Sequence, residues 1–178
     1  MKQLVRSIFL LAPLVLLAFV GTVRAQGGTP AETPMSPSAA LLDNWNDVGK
    51  RLVTMAEDWP ADKYDYRLKP EMRSFQQVIL HIAGSNYDFL NHTTKSKVGD
   101  GRNDPPVSDY KTKADVVAFL KKSIADGVAE IGKEGDAGVL QHLDGWIGFT
   151  EHMGEHYGLL VAYYRANGIV PPESRTKK

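Results

Sequence analysis

Residues 151–168 read EHMGEHYGLLVAYYRANG, and this segment is the clearest guide to how the chain folds. Its apolar and aromatic side chains recur at steps of three and four, which is the period of an amphipathic helix. Gly168 favours a left-handed stop, and the proline pair at 171–172 prevents the helix from resuming. His152 and His156 lie four residues apart, so both imidazoles are on one helical face. The stretch predicts a last helix, at about 148–167, that carries two candidate metal ligands into the protein.

Three further segments have the same period and predict three more helices, at about 37–57, 70–91 and 112–132. Ser36 ahead of Pro37, and Thr112 with Asp115, are the residue types that cap helices, and Pro70 suits a first helical position. Residues 133–147 are rich in glycine and are predicted to be irregular or extended. With no convincing strand, the chain is predicted to be an all-α four-helix bundle with an irregular connection before the last helix.

The first 25 residues have the pattern of a signal peptide. Lys2 and Arg6 precede an apolar run at 8–20, and Val23-Arg24-Ala25 offers a cleavage site before Gln26. A retained membrane anchor is the alternative, but the run is short for a membrane span. We therefore expect an exported protein, in the bacterial periplasm, without a stable membrane anchor after cleavage. The predicted organisation is a signal peptide at 1–25, a flexible linker at 26–37, the bundle at 38–174 and a tail at 175–178.

The composition excludes several classes of function. Three of the 21 basic residues and none of the 21 acidic residues lie in positions 1–25, which leaves the mature chain at a net charge of −3. Nothing in this balance suggests a nucleic-acid partner, which calls for a basic surface. The sequence has no cysteine, so a thiolate ligand, a cysteine nucleophile and disulfides are excluded. Any bound metal must be held by histidine, carboxylate or water.

A third ligand is predicted on the second helix. At about 100° per residue, a polar stripe borders the apolar face of this helix and suits the wall of a wet pocket. His81 lies within the stripe between two apolar neighbours, and it joins His152 and His156 as a candidate ligand. The stripe consists of Ser74, Gln77, His81, Ser85 and Asp88. Three nitrogens from two helices form a facial set that leaves positions open for water or substrate.

Other interpretations of these residues remain. Alternatively, His81 is an ordinary core histidine. In that case His152 and His156 are surface residues that bind no metal. Met153 occupies the position at which the zincin motif has its glutamate, which disfavours zincin-type proteolysis. Ser85, Gln77 and Asp88 are candidates for lining the pocket or for contacts behind the ligands. Glu155 and Tyr163 have the same candidate role, although a solvated position and core filling respectively are the alternatives.

Two blocks of sequence resemble the DinB-like family of metal-binding four-helix bundles. Residues 73–83, RSFQQVILHIA, resemble the second-helix signature, and residues 155–172, EHYGLLVAYYRANGIVPP, are similar to the fourth-helix signature and its stop. The resemblance covers about residues 38–174. It implies that His81, His152 and His156 form the histidine triad of the family for a divalent metal, commonly nickel, zinc, iron or manganese. It also implies a possible homodimer.

The resemblance implies a function only in outline. Characterised members of the family include thiol-dependent transferases and isomerases, but export would separate this protein from the cytosolic thiols that they use. No cluster of basic residues beside the triad is evident from the sequence, and Arg73 and Arg165 are the nearest candidates. We expect a metal-dependent hydrolase or transferase acting on an unknown small molecule, with catalytic groups unassigned. The alternative is a non-catalytic periplasmic protein that binds a metal or a ligand.

Overall fold

The fold consists of four α-helices, seen in a computed structural model that describes residues 34–176. The helices are α1 (Pro37–Asp58), α2 (Phe75–Thr94), α3 (Lys113–Gln141) and α4 (Leu143–Ala166). Short 3-10 turns occur at Ala61–Lys63, Val107–Asp109 and Pro172–Ser174. Because no strand occurs within 34–176, the predicted all-α four-helix fold is confirmed. The predicted signal peptide and most of the predicted linker lie outside the described residues.

The helices pack so that α1 and α2 occupy opposite corners of the bundle. Each of these two helices packs against both α3 and α4. Large aromatic side chains fill the interior, with Trp45 stacked on Phe149 at 4.1 Å between ring centroids and Trp59 on Phe75 at 4.4 Å. Burial of such rings supplies most of the apolar driving force for folding. None of the helices in the described part is long and apolar enough to cross a membrane.

Two of the predicted helix starts are confirmed. The Ser36 side chain accepts a hydrogen bond from the Ala39 amide, and Pro37 occupies the first turn of α1. Thr112 and Asp115 form a reciprocal capping box at the start of α3. These side chains satisfy amide groups that have no partner within the helix itself.

The predicted start of α2 at Pro70 is wrong, because the helix begins at Phe75. Ser74 caps it, accepting a hydrogen bond from the Gln77 amide, while the Gln77 side chain accepts one from the Ser74 amide. The loop carbonyl of Tyr66 accepts the Phe75 amide at 2.9 Å. A reciprocal capping box defines a helix start more strongly than a proline at a compatible position, and this one was overlooked in the sequence.

The predicted irregular connection at 133–147 is also wrong over most of its length. Helix α3 kinks at Gly135, which has φ 59° and ψ −172°, and a second helical stretch then continues to Gln141. Each glycine in a helix interior lowers helix stability by about 1 kcal/mol relative to alanine. Burial of Val139 and Trp146, which are 3% and 2% exposed, offsets this loss. Because α4 starts at Leu143, the histidine pair lies in the middle of this helix and not near its N-terminus.

We predict that Gly127→Ala destabilises the bundle, whereas Gly158→Ala does not. A Cβ atom at Gly127 would lie 1.8 Å from Cζ2 of Trp45, so the buried indole must move. Overpacking of this kind costs about 1–3 kcal/mol of unfolding free energy. At Gly158 an added Cβ meets no atom within 4 Å, so alanine should add up to about 1 kcal/mol of helix stability. Urea unfolding of both variants checks this, and equal stabilities would contradict the packing described here.

Candidate metal centre

Three imidazoles meet between α2 and α4. One nitrogen of each of His81, His152 and His156 lies within 4.8 Å of the other two. The Nε2 atoms of His81 and His152 are 3.3 Å apart. The ring centroids are separated by 5.3 Å for His81 and His152, 4.8 Å for His81 and His156, and 4.3 Å for His152 and His156. The residues predicted as a triad from their positions on two helices are therefore brought together.

The antiparallel packing of α2 and α4 produces this meeting. At one end, the Tyr163 hydroxyl near the end of α4 donates to the Arg73 carbonyl just before α2. At the other end, Thr93 in the last turn of α2 lies against Gly145 in the first turn of α4. His81 is thereby placed level with the histidine pair. His81 and His156 are only 8% and 7% exposed, so the centre is largely shielded from water.

A carboxylate that sequence reasoning missed orients His81. Oδ1 of Asp104 lies 3.1 Å from Nδ1 of His81. A carboxylate only accepts hydrogen bonds, so Nδ1 of this imidazole carries the proton. The lone pair of Nε2 is therefore available for a metal ion. Arg73 holds the carboxylate in place, with Nε 3.1 Å from Oδ1 and Nη2 3.0 Å from Oδ2. Carboxylate–histidine pairs of this kind commonly support metal-binding imidazoles.

The loop that carries Asp104 packs closely on α2. Gly84 allows this approach, because an added Cβ would lie 2.4 Å from the carbonyl oxygens of Arg102 and Asn103. The Ser85 hydroxyl donates to the side-chain oxygen of Asn103 and fixes the loop one residue before Asp104. The sequence gives little indication that Asp104 contacts His81, because the two residues are 23 positions apart and Asp104 lies in a segment that resembles an ordinary surface loop.

The histidines are held in the neutral form that binds metals. Burial lowers the pKa of His152 and of His156 to about 4, and the neighbouring imidazole charge adds to this effect. Burial, followed by the charge of Arg73, also lowers the pKa of His81, and this outweighs the opposite effect of Asp104. All three groups therefore have free lone pairs at neutral pH without any cost of deprotonation.

The donor set fits a divalent transition metal on two grounds. Nitrogens bound at about 2.0–2.1 Å in tetrahedral geometry lie about 3.3–3.4 Å apart, which matches the 3.3 Å between His81 and His152. In addition, Nδ1 of His156 is buried and has no hydrogen-bond partner within residues 34–176. An unsatisfied buried polar atom costs about 1–3 kcal/mol, so this nitrogen suits a non-protein ligand.

The predicted pocket residues lie in different surroundings. Ser85 is buried and anchors the Asp104 loop, whereas the Gln77 side chain belongs to the capping box of α2. Tyr163 is fully buried and packs edge-on against Phe75, with ring centroids 6.0 Å apart, so it fills the core. Asp88 and Glu155 are exposed, and neither side chain forms a hydrogen bond or an ion pair within the described part of the chain.

The two remaining histidines lie outside the triad. His92 is exposed in the last turn of α2. His142 lies at the turn between α3 and α4, where its Nδ1 is 2.9 Å from a carboxylate oxygen of Glu134. Neither residue belongs to the three-histidine cluster.

The described residues form an all-α four-helix protein with a close histidine triad, which is compatible with a DinB-like metal-binding bundle. No model of a known protein family matches the chain, and no curated protein matches it. The geometry of the three histidines therefore carries the functional argument.

We predict that Asp104→Asn weakens metal binding without unfolding the protein. The amide no longer fixes the proton of His81 on Nδ1, and loss of such a carboxylate typically lowers metal affinity about 10–100-fold. Zinc competition with a chromophoric chelator measures the change. Asp100→Asn is the matched control, because Asp100 pairs with Arg102 in the same loop and does not contact the triad. Equal zinc affinities for the two variants would contradict the role given to Asp104.

Proposed function

We propose that this protein is an exported, DinB-like, metal-dependent enzyme whose divalent metal is bound by His81, His152 and His156. The observation that carries the proposal is the convergence of three neutral imidazoles without a fourth protein ligand among residues 34–176. A set of three protein ligands is typical of catalytic metal sites, whereas structural zinc sites are usually closed by four. The resemblance of residues 73–83 and 155–172 to the family signatures adds support.

The protein contributes binding, orientation and shielding in this proposal. His81 comes from α2 and the other two histidines from α4, so the centre also links two helices. Asp104 fixes the tautomer of His81, and Phe89 packs against His152 with ring centroids 5.4 Å apart. A divalent cation held by neutral ligands supplies Lewis-acid chemistry, lowering the pKa of bound water and polarising a carbonyl or thiol. This chemistry suits hydrolysis or group transfer on a small molecule.

Zinc, nickel, iron and manganese all remain candidates for the metal. Affinity at a site of three imidazoles follows the general order of divalent ions, so metal supply and geometry decide which ion is bound. The pattern of residues 1–25 supports export. An exported protein would take up its metal outside the cytosol.

Metal content of matched histidine variants tests the proposal. We expect the wild-type protein to bind one cobalt ion per chain, and His156→Ala to lose most of it, because one of three ligands is gone. His92→Ala removes a histidine outside the triad and should bind cobalt like the wild type. Equal cobalt content in the His156→Ala and His92→Ala proteins would overturn the triad as a metal site.

The same cobalt-loaded protein separates an enzyme from a non-catalytic metal binder. An open coordination position exchanges with small anions, so added azide should change the visible absorption spectrum of the cobalt. A spectrum that does not respond to azide, with cobalt still bound, would contradict the enzyme and favour a saturated binding or structural site.

A further inference from the structure

A groove lies one helical turn from the triad. It is lined by Met72, Arg73, Leu159 and Tyr163, with Glu71 at its edge, and has a volume of about 450 Å³. Leu159 follows His156 by three residues on α4, about 4.5 Å along the helix axis. Arg73 both lines the groove and holds the carboxylate that orients His81. The groove and the candidate metal centre therefore share one guanidinium group.

The guanidinium retains donors for a ligand. Arg73 uses Nε and Nη2 on Asp104, and within the described residues Nη1 has no hydrogen-bond partner. Its side chain is 44% exposed, so these donors are open to solvent. A planar guanidinium with free N–H groups is the preferred protein partner of oxyanions.

The segment that leads into α2 and contributes Arg73 to the groove is basic. Residues 67–73 read RLKPEMR and carry three basic side chains against one acidic one. Arg67 donates to the Met72 carbonyl, which holds its guanidinium along this segment. Burial raises the pKa of the Tyr163 hydroxyl, and the positive charges of Arg67 and Arg73 act in the opposite direction. The segment therefore brings positive charge to the groove that Met72 and Arg73 line.

We propose that this groove binds the carboxylate group of an amphiphilic organic anion, with Arg73 as the residue that selects the charge. Met72 and Leu159 provide apolar surface for the rest of the molecule, and the fully buried Tyr163 lies beneath them. Glu71 at the edge and Asp104 behind the guanidinium favour a singly charged carboxylate over a doubly charged phosphate. The role of this anion as the substrate rests on the proposed metal-dependent function; its binding does not.

Titration with hexanoate, followed by ¹H–¹⁵N NMR, tests the groove directly. We expect hexanoate to shift the amide signals of Leu159 and Tyr163 in both metal-free and zinc-loaded protein. The neutral hexanamide should bind about tenfold more weakly, because it lacks the charge-assisted hydrogen bond to Arg73. Hexyl phosphate should also bind more weakly than hexanoate. Tighter binding of hexanamide or of hexyl phosphate would overturn the assignment of a carboxylate.

Substitutions test whether Arg73 supplies the positive charge that binds hexanoate. Arg73→Gln should weaken hexanoate binding about tenfold, whereas Arg165→Gln, the same change at an exposed site on α4, should leave it unchanged. Leu159→Glu keeps the Arg73–Asp104 pair and places a carboxylate in the groove, so it should also weaken binding. Unchanged affinity in both Arg73→Gln and Leu159→Glu would overturn the proposal.

The state of the metal separates this inference from the proposed function. Hexanoate that binds only to zinc-loaded protein coordinates the metal and contradicts the groove. Hexanoate binding to metal-free protein, in a sample that also fails to take up zinc, would support the groove while defeating the metal centre.

Discussion

The antiparallel contact between α2 and α4 is the constraint on which the site depends. It sets His81 level with His152 and His156, and it places the Nε2 atoms of His81 and His152 3.3 Å apart. Burial keeps these imidazoles neutral, so they do not repel one another at neutral pH. The same contact is held at one end by the Tyr163 hydroxyl on the Arg73 carbonyl. Packing of the core and placement of the three histidines therefore have one common cause.

Arg73 connects three parts of the molecule. Its carbonyl accepts from Tyr163 in the core, its guanidinium holds Asp104 beside His81, and the same side chain lines the neighbouring groove. A carboxylate between a guanidinium and an imidazole fixes the tautomer that aims Nε2 at the centre. The arrangement also gives a cation to a groove that opens one turn from the ligands. In this account metal affinity and recognition of an anion are coupled through one residue.

Helical periodicity and histidine spacing were sufficient to predict the four helices and the convergence of the triad, because both depend on the face of a helix. His81 could be paired with His152 and His156 since each lies beside or within the apolar face of its own helix. The start of α2 and the helicity of residues 133–147 were predicted wrongly. The start of α2 was misplaced because the Ser74–Gln77 capping box was overlooked. Residues 133–147 are mostly helical because burial of Val139 and Trp146 outweighs the destabilising effect of the glycines on a helix. Asp104 could not be found because its role depends on loop packing at Gly84 and Ser85, which has no local pattern.

The proposed metal centre requires three imidazoles to bind one metal ion and to leave part of its coordination shell open. X-ray absorption spectroscopy of the zinc-loaded protein at the zinc edge tests this most directly, because multiple scattering counts imidazole ligands. We expect three imidazoles together with at least one oxygen or exchangeable anion. A shell with fewer than three imidazoles, or one filled completely by protein ligands, would contradict it.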